Sequence, residues 1–261
     1  MEKLRIAIIQ MDIAFGHVKA NRRHADQLIR EAAAKGTDLV VLPELWTTAY
    51  DLTRIHDLAD DSGEQTKEQM SQLASSLNIN ILAGSVAYKQ DGKVYNTTLL
   101  FDRNGNQTAS YSKLHLFRLM EEEQYLHAGT AEGQIQIEGV PCATIICYDL
   151  RFPELTRKLA LAGAKILFVP AEWPHPRLHH WRTLQVARAI ENQMFVVSCN
   201  RVGRAGDTEF FGHSMVVDPW GEVLFEAGEE EGIFHVKIDL DLVDSVRKRI
   251  PIFEDRRTDM Y

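Results

Sequence analysis

A layered α/β sandwich is the fold class the chain predicts, and three observations predict it. Short, nearly continuous apolar runs recur, as strands buried on both faces require. Segments with apolar residues at helical spacing lie between several of them. Further along, turn dipeptides such as Asn104-Gly105 join runs as hairpin partners. Strands of mixed direction with helices outside them make layers rather than a bundle.

Leu4 to Ile9 is the first buried strand. From Asn21 to Lys35, residues Ala25, Leu28, Ile29, Ala32 and Ala33 share a helical face, and Gly36 stands where a helix stops. Asp38 to Pro43 is the next strand, completing a strand–helix–strand unit. A helix around Thr66 to Leu77 leads into a strand from Ile79 to Val86. Val94 to Phe101 then pairs with a segment starting near Thr108. Ala143 to Cys147 and Lys165 to Pro170 are strands, with Pro153 to Ala162 as the helix between them. Arg177 to Asn192 is a helix and Phe195 to Cys199 a strand. Ser214 to Val217, the turn Asp218-Pro219-Trp220-Gly221, and strands at Glu222 to Phe225 and Gly232 to Ile238 complete the tail. With no repeat or linker-like tract, residues 1–261 read as one domain.

Charge narrows the function classes. A net charge of −8, from 29 Lys+Arg against 37 Asp+Glu, repels nucleic acid and anionic membrane in bulk. No run reaches the ~20 apolar residues of a membrane span, and Met1 to Gln10 has too short an apolar stretch for a signal peptide. The 3 cysteines, Cys142, Cys147 and Cys199, form neither a C-x-x-C pair nor a zinc spacing. A reducing, cytoplasmic setting is expected.

Three polar residues stand directly after or near the ends of such strands. Glu44 follows Val40-Val41-Leu42-Pro43, Lys113 lies near the end of the strand containing Tyr111, and Cys147 follows Ile145-Ile146. Strand ends are where α/β sheets collect ligands. Cys147 opens the turn Tyr148-Asp149-Leu150-Arg151-Phe152-Pro153 into a helix, whose N-terminus would favour a thiolate. Amide hydrolysis needs a nucleophile, a proton shuttle and a partner for the oxyanion. Cys147, Glu44 and Lys113 can supply these. Spacing alone does not decide it: each also reads as a solvated loop acid, a surface lysine or an inert core thiol.

The stretches Leu42-Pro43-Glu44-Leu45-Trp46, Tyr111-Ser112-Lys113-Leu114-His115-Leu116-Phe117 and Ile145-Ile146-Cys147-Tyr148-Asp149-Leu150-Arg151-Phe152-Pro153-Glu154 resemble the signature segments of the carbon–nitrogen hydrolase, or nitrilase, superfamily. Gly212-His213-Ser214 and Asp218-Pro219-Trp220-Gly221 match its C-terminal pattern. The resemblance implies a four-layer α-β-β-α sandwich that pairs through its helical layer into a homodimer. It implies Glu44 as general base, Lys113 as oxyanion stabiliser and Cys147 as a thioester-forming nucleophile, with the Tyr148 N–H as second oxyanion donor. It implies a further glutamate between the lysine and the cysteine; of Glu121, Glu122 and Glu123, the interval to Gly129 selects Glu122, with Glu121 second. It implies no metal and no organic cofactor, and His179-His180 read as the start of a surface helix.

Within the superfamily, Pro43-Glu44-Leu45-Trp46-Thr47-Thr48, Ala171-Glu172-Trp173-Pro174 and Arg188-Ala189-Ile190-Glu191-Asn192-Gln193 resemble the ω-amidase branch, which deamidates 2-oxoglutaramate. Ile250-Pro251-Ile252-Phe253 with Arg256 and Arg257 resembles bacterial members associated with methionine salvage. Such a small carboxylate-bearing amide needs a cation for its distal carboxylate and an aromatic wall. Arg177 and Arg151 are the candidate cations; Trp46, Tyr50 and Trp173 are the candidate walls. Arg151 also reads as an ion-pair partner of Asp149 or Glu154, and Arg188 with Glu191 as a structural or interface pair. The alternatives kept open are an N-carbamoyl-amine or N-carbamoyl-amino-acid amidohydrolase, a nitrilase, and a catalytically idle interaction scaffold. A redox-sensing thiol protein ranks below these because no resolving cysteine is evident.

Overall fold

Alternation along one short strand explains the layering. In Lys3–Gln10, Ile6 and Ile8 point to one side of the sheet while Ala7 and Ile9 point to the other, and all four are fully buried. We describe residues 3–260 in a computed structural model. Met1 and Glu2, on which the leader expectation partly rests, lie outside the described residues, as does Tyr261.

Ala7, Ile9, Val40 and Leu42 pack under the helices Val18–Ala34 and Glu64–Leu77, through Ala25, Leu28, Ile29, Met70 and Leu73. Ile6, Ile8, Leu39 and Val41 meet Phe168, Val197, Cys199 and Val216 of a second sheet. The far face of that sheet, through Leu167, Val169 and Val196, is covered by Leu155, Leu159, Trp181 and Ala189 of the helices Pro153–Leu161 and Leu178–Asn192. The order is helix, sheet, sheet, helix: the four-layer sandwich.

Among the described residues the first sheet has eight strands and the second six. In the first, Lys3–Gln10 pairs antiparallel with Gly232–Asp239 and parallel with Leu39–Val41, which pairs parallel with Asn80–Leu82. In the second, Ile166–Ala171 lies parallel between Val140–Thr144 and Phe195–Asn200. The C-terminal ends of Leu39–Val41, Val140–Thr144 and Ile166–Ala171 lead directly to Glu44, to Cys147 and to Glu172.

Two strands and two hairpins differ from expectation. The single strand anticipated from Ile79 to Val86 is two, Asn80–Leu82 and Val86–Gln90. Gly84 between them has φ +51°, and a Cβ there would sit 1.9 Å from the Pro43 carbonyl oxygen. Only glycine permits that approach, and it lets Ser85 N–H donate to Pro43 O at 3.0 Å beside Glu44. The strand placed at Ala143 to Cys147 is Val140–Thr144, so Cys147 begins a 3₁₀ turn. Two hairpins went unanticipated. Gln134–Ile137 pairs with Val140–Thr144 around Glu138-Gly139, both at positive φ, and Val202–Ala205 pairs with Thr208–Phe211. No helix among the described residues is long and apolar enough to cross a membrane.

Candidate active site

Glu44, Lys113 and Cys147, distant in sequence, meet at one place. Lys113 follows the strand Gln107–Ser112, and its backbone is held there by Lys113 N–H to Asn96 O and Gly129 N–H to Lys113 O, both at 2.9 Å. Its ammonium donates to Glu44 Oε1 at 2.8 Å and to Glu122 Oε1 at 2.7 Å, with all three side chains fully buried. Asn96 Nδ2 donates to Glu44 Oε1 at 2.8 Å, and the Glu172 backbone N–H donates to Glu44 Oε2 at 2.8 Å. Phe117 N–H donates to Glu122 Oε2 at 2.9 Å. Of the acidic run, Glu122 is buried while Glu121 and Glu123 are exposed.

Burial pulls the Lys113 ammonium toward its neutral form, but Glu122 and Glu44 more than offset this and hold it well above the usual lysine range. Burial pushes Glu122 upward; Lys113 opposes the rise and Glu44 adds to it. Two carboxylates facing one ammonium in a dry site cannot both be neutralised by it, which favours a proton on the cluster.

Cys147 sits at a strand-to-helix elbow with φ +46°, a strained conformation for a residue with a Cβ. Asp149 fixes this turn. It accepts from Ile146 N–H at 3.0 Å and Tyr111 OH at 2.7 Å, and from His115 N–H at 2.9 Å. Tyr111 and His115 flank Lys113, so one carboxylate ties the lysine segment to the cysteine turn. The helix-favoured thiolate does not hold. Burial, then the negative charge of Glu44, push the Cys147 thiol well above its usual value; Lys113 opposes, and a hydrogen bond to Glu44 adds to the rise. This environment favours the thiol, and its attack on a substrate calls for a base. Cys199 also stays a thiol, donating to Ile9 O at 3.1 Å.

A narrow cleft opens at Cys147, lined by Phe117, Tyr148, Arg151, Glu172, Trp173, Pro174 and Arg177. A more open surface groove around Asn80, Arg103 and Glu138 shares no residue with it. The Tyr148 N–H lies in the first turn of the 3₁₀ segment, where N–H groups have no intrahelical partner. The Arg151 guanidinium carbon stacks 4.7 Å from the Trp173 ring centroid, and that of Arg177 lies 5.6 Å from the Phe117 ring. Neither arginine forms an ion pair among the described residues. Arg151 does not pair with Asp149 or Glu154; it contacts His180 Nδ1 at 3.3 Å.

Trp173, Arg177 and Tyr148 therefore line the cavity with the cysteine. Tyr50 reaches the site differently from the wall expected of it: its hydroxyl lies 2.5 Å from Glu122 Oε1 and 3.0 Å from Glu44 Oε1, inside the polar cluster. Trp46 is not a wall. It is fully buried in the core under the first helical layer, and its indole N–H donates to Ala83 O at 2.8 Å, because a buried Trp N–H must find an acceptor. Arg188 is structural, donating to Leu150 O at 3.1 Å and Glu191 Oε1 at 2.9 Å.

The carbon-nitrogen hydrolase family matches this chain over residues 5–248. The chain belongs to the carbon-nitrogen hydrolase family. Among its relatives, the 2-oxoglutaramate amidase of Bacillus subtilis (strain 168) is 47% identical over 259 residues, spanning 99% of this chain and 100% of that protein. The omega-amidase NIT2 of Homo sapiens is 34% identical, spanning 100% and 98%. The crystal structure of a carbon-nitrogen hydrolase from Helicobacter pylori G27 matches with a TM-score of 0.94 at 28% identity, covering 100% of this chain and 97% of that one.

Sequence reasoning missed several residues of this carbon-nitrogen hydrolase site. Asn96 lies mid-strand beside Thr97 and Thr98, where a polar residue carries no distinctive signal. Asp149 stands two residues after Cys147, a position from which an Asx-type turn could have been read. Glu172 repeats the pattern that exposed Glu44, an acid directly after a buried apolar strand, and that pattern was legible.

Proposed function

We propose that this hydrolase is an ω-amidase that converts 2-oxoglutaramate to 2-oxoglutarate and ammonia. One observation carries the reading: the Cys147 thiol shares a small cavity with two guanidiniums, Arg151 and Arg177, that have no carboxylate partner among the described residues. A substrate with a scissile amide at one end and a carboxylate at the other matches that polarity. The relative named 2-oxoglutaramate amidase supports the same substrate class.

Glu44 takes the thiol proton of Cys147, and the sulfur attacks the amide carbon. The oxyanion forms between Lys113 Nζ and the Tyr148 N–H. As the carbon–nitrogen bond breaks, Glu44 returns the proton to the nitrogen and ammonia leaves, with a thioester on Cys147. Glu44 then deprotonates a water that attacks the thioester, and the proton passes to the departing sulfur. Glu122 and Tyr50 hold Lys113 in place and charged. The chain works without a metal or organic cofactor in this scheme, in a reducing cytoplasm suited to three free cysteines.

A homodimer through the helical layer goes with this reading. Ile190, Trp220, Val223, Leu224 and Ile250 are large apolar side chains left 38–50% exposed. Sedimentation at micromolar concentration tests it, with a monomer refuting the pairing.

The deciding assay is ammonia release from 2-oxoglutaramate beside glutamine, asparagine, a carbamoyl amine and a nitrile. Preferential turnover of 2-oxoglutaramate is expected. Turnover of only the nitrile or the carbamoyl amine would replace the ω-amidase reading, and silence across the panel would favour an idle scaffold.

A further inference from the structure

A further buried glutamate lines the reaction cavity, and the mechanism above does not use its side chain. Glu172 follows the strand Ile166–Ala171, is 1% exposed, and lines the cavity with Cys147. Its Oε2 accepts from Arg201 Nη1 at 3.0 Å. Arg201 is fully buried and also engaged away from Glu172: Nε donates to Val202 O at 3.0 Å, Nη2 to Ile13 O at 2.7 Å and to Asp12 Oδ1 at 3.4 Å, and its carbon lies 4.4 Å from the Phe210 ring. The other oxygen, Oε1, is buried with no hydrogen-bond partner among the described residues. A buried acceptor without a donor costs about 1–3 kcal/mol, more when charged.

The surrounding geometry says what donor fits. Glu172 is coupled directly to the proton shuttle, since its backbone N–H holds Glu44 Oε2 at 2.8 Å. With the substrate's carbonyl oxygen between Lys113 and the Tyr148 N–H, the nitrogen of the scissile amide is the substituent left on the Glu44 side. A primary carboxamide carries two N–H donors there. We propose that Glu172 is a specificity-determining residue for the amide group, its free Oε1 accepting one N–H of the carboxamide beside Glu44. The inference rests on the amidase reading above and adds the reason a carboxamide is preferred over a group of equal shape lacking N–H.

Burial pushes the Glu172 carboxyl up to about 8, with Arg201 opposing and Glu44 adding to the rise. A proton and the amide N–H therefore compete for the same oxygen. Amide affinity should rise as pH increases through that value and level off above it.

The test uses the Cys147→Ala variant, which binds without turnover, and calorimetry with two ligands: 2-oxoglutaramate and its isostere with –CH3 in place of –NH2. At pH 9, where the Glu172 carboxyl is ionised, we expect the amide to bind at least about tenfold tighter, as sites built around a substrate N–H reject analogues lacking it. Adding Glu172→Gln should erase that preference by weakening the amide while the isostere stays within about twofold. In Cys147→Ala alone, the preference should grow between pH 7 and 9 (roughly one unit either side of the Glu172 value). A preference that survives Glu172→Gln, or equal loss for both ligands, would overturn the inference. If the double variant does not fold, a pH-independent preference in Cys147→Ala overturns it equally. Binding of neither ligand by Cys147→Ala would instead remove the ω-amidase reading itself.

Discussion

Lys113 and Glu44 form a fully buried ion pair, Nζ to Oε1 at 2.8 Å, across the end of the first sheet. A pair this dry is costly to break from one side, because the surviving charge has no water to replace its partner. Removing Lys113 leaves both Glu44 and Glu122 without their cation. Lys113→Ala is therefore expected to lower kcat on the order of a hundredfold or more through the lost oxyanion donor. The same substitution should lower stability by about 3–5 kcal/mol. Steady-state kinetics and urea unfolding check the two effects separately; a wild-type rate would remove Lys113 from the oxyanion role.

Cys147 gives the second prediction. Its thiol is pushed up by burial and by Glu44 and Glu122, against Lys113. The free enzyme should react with iodoacetamide at pH 7 more slowly than free cysteine does, since the thiolate is the reactive species. With substrate present, intact-mass measurement should trap an acyl adduct on Cys147. Cys147→Ala should abolish turnover with an unchanged melting curve. Rapid alkylation of the resting enzyme would show that the pocket favours the thiolate.

The two arginines of the cavity make a third. Arg177→Lys keeps a charge but loses the planar fork that matches a carboxylate. Arg151→Met removes the charge stacked on Trp173. Both should raise KM more than they lower kcat, because carboxylate binding is shared by ground and transition states. Unchanged KM in both variants would move the carboxylate site elsewhere.

How much of this was legible depended on how local the signal was. Buried strands announced themselves as apolar runs, and Ile6 to Ile9 show why: neighbours face opposite cores, so both must be apolar. Glu44, Lys113, Cys147 and Glu122 were reachable through motif resemblance. Trp46 was misassigned because it sits beside Glu44 in sequence, whereas Leu45, at φ +40°, turns the chain so that the indole enters the core. Tyr50 was misread for the opposite reason. The ring suggests a wall, but it is the hydroxyl that reaches Glu122 and Glu44. Asn96 and Arg201 reach the site across long sequence separations, and no spacing reveals such contacts.

The last prediction concerns stability and pH, and it turns on Glu172. Its carboxyl rises from an ordinary 4.5 to about 8 in the folded chain, chiefly through burial. Between those values the folded state holds a proton that the unfolded chain has released. Stability then falls as pH rises through this window, because the native state binds more protons than the unfolded state. Below 4.5 both states are protonated and above about 8 both are ionised, so the contribution is flat outside the window. Glutamine mimics the protonated form and does not titrate. The stability of Glu172→Gln relative to wild type should therefore climb steadily from pH 5 to pH 8 and then level off, the limits being roughly the window just derived. Urea unfolding of both proteins across that range measures the difference directly. A difference that stays constant with pH would mean that Glu172 is already ionised in the folded chain, held so by Arg201.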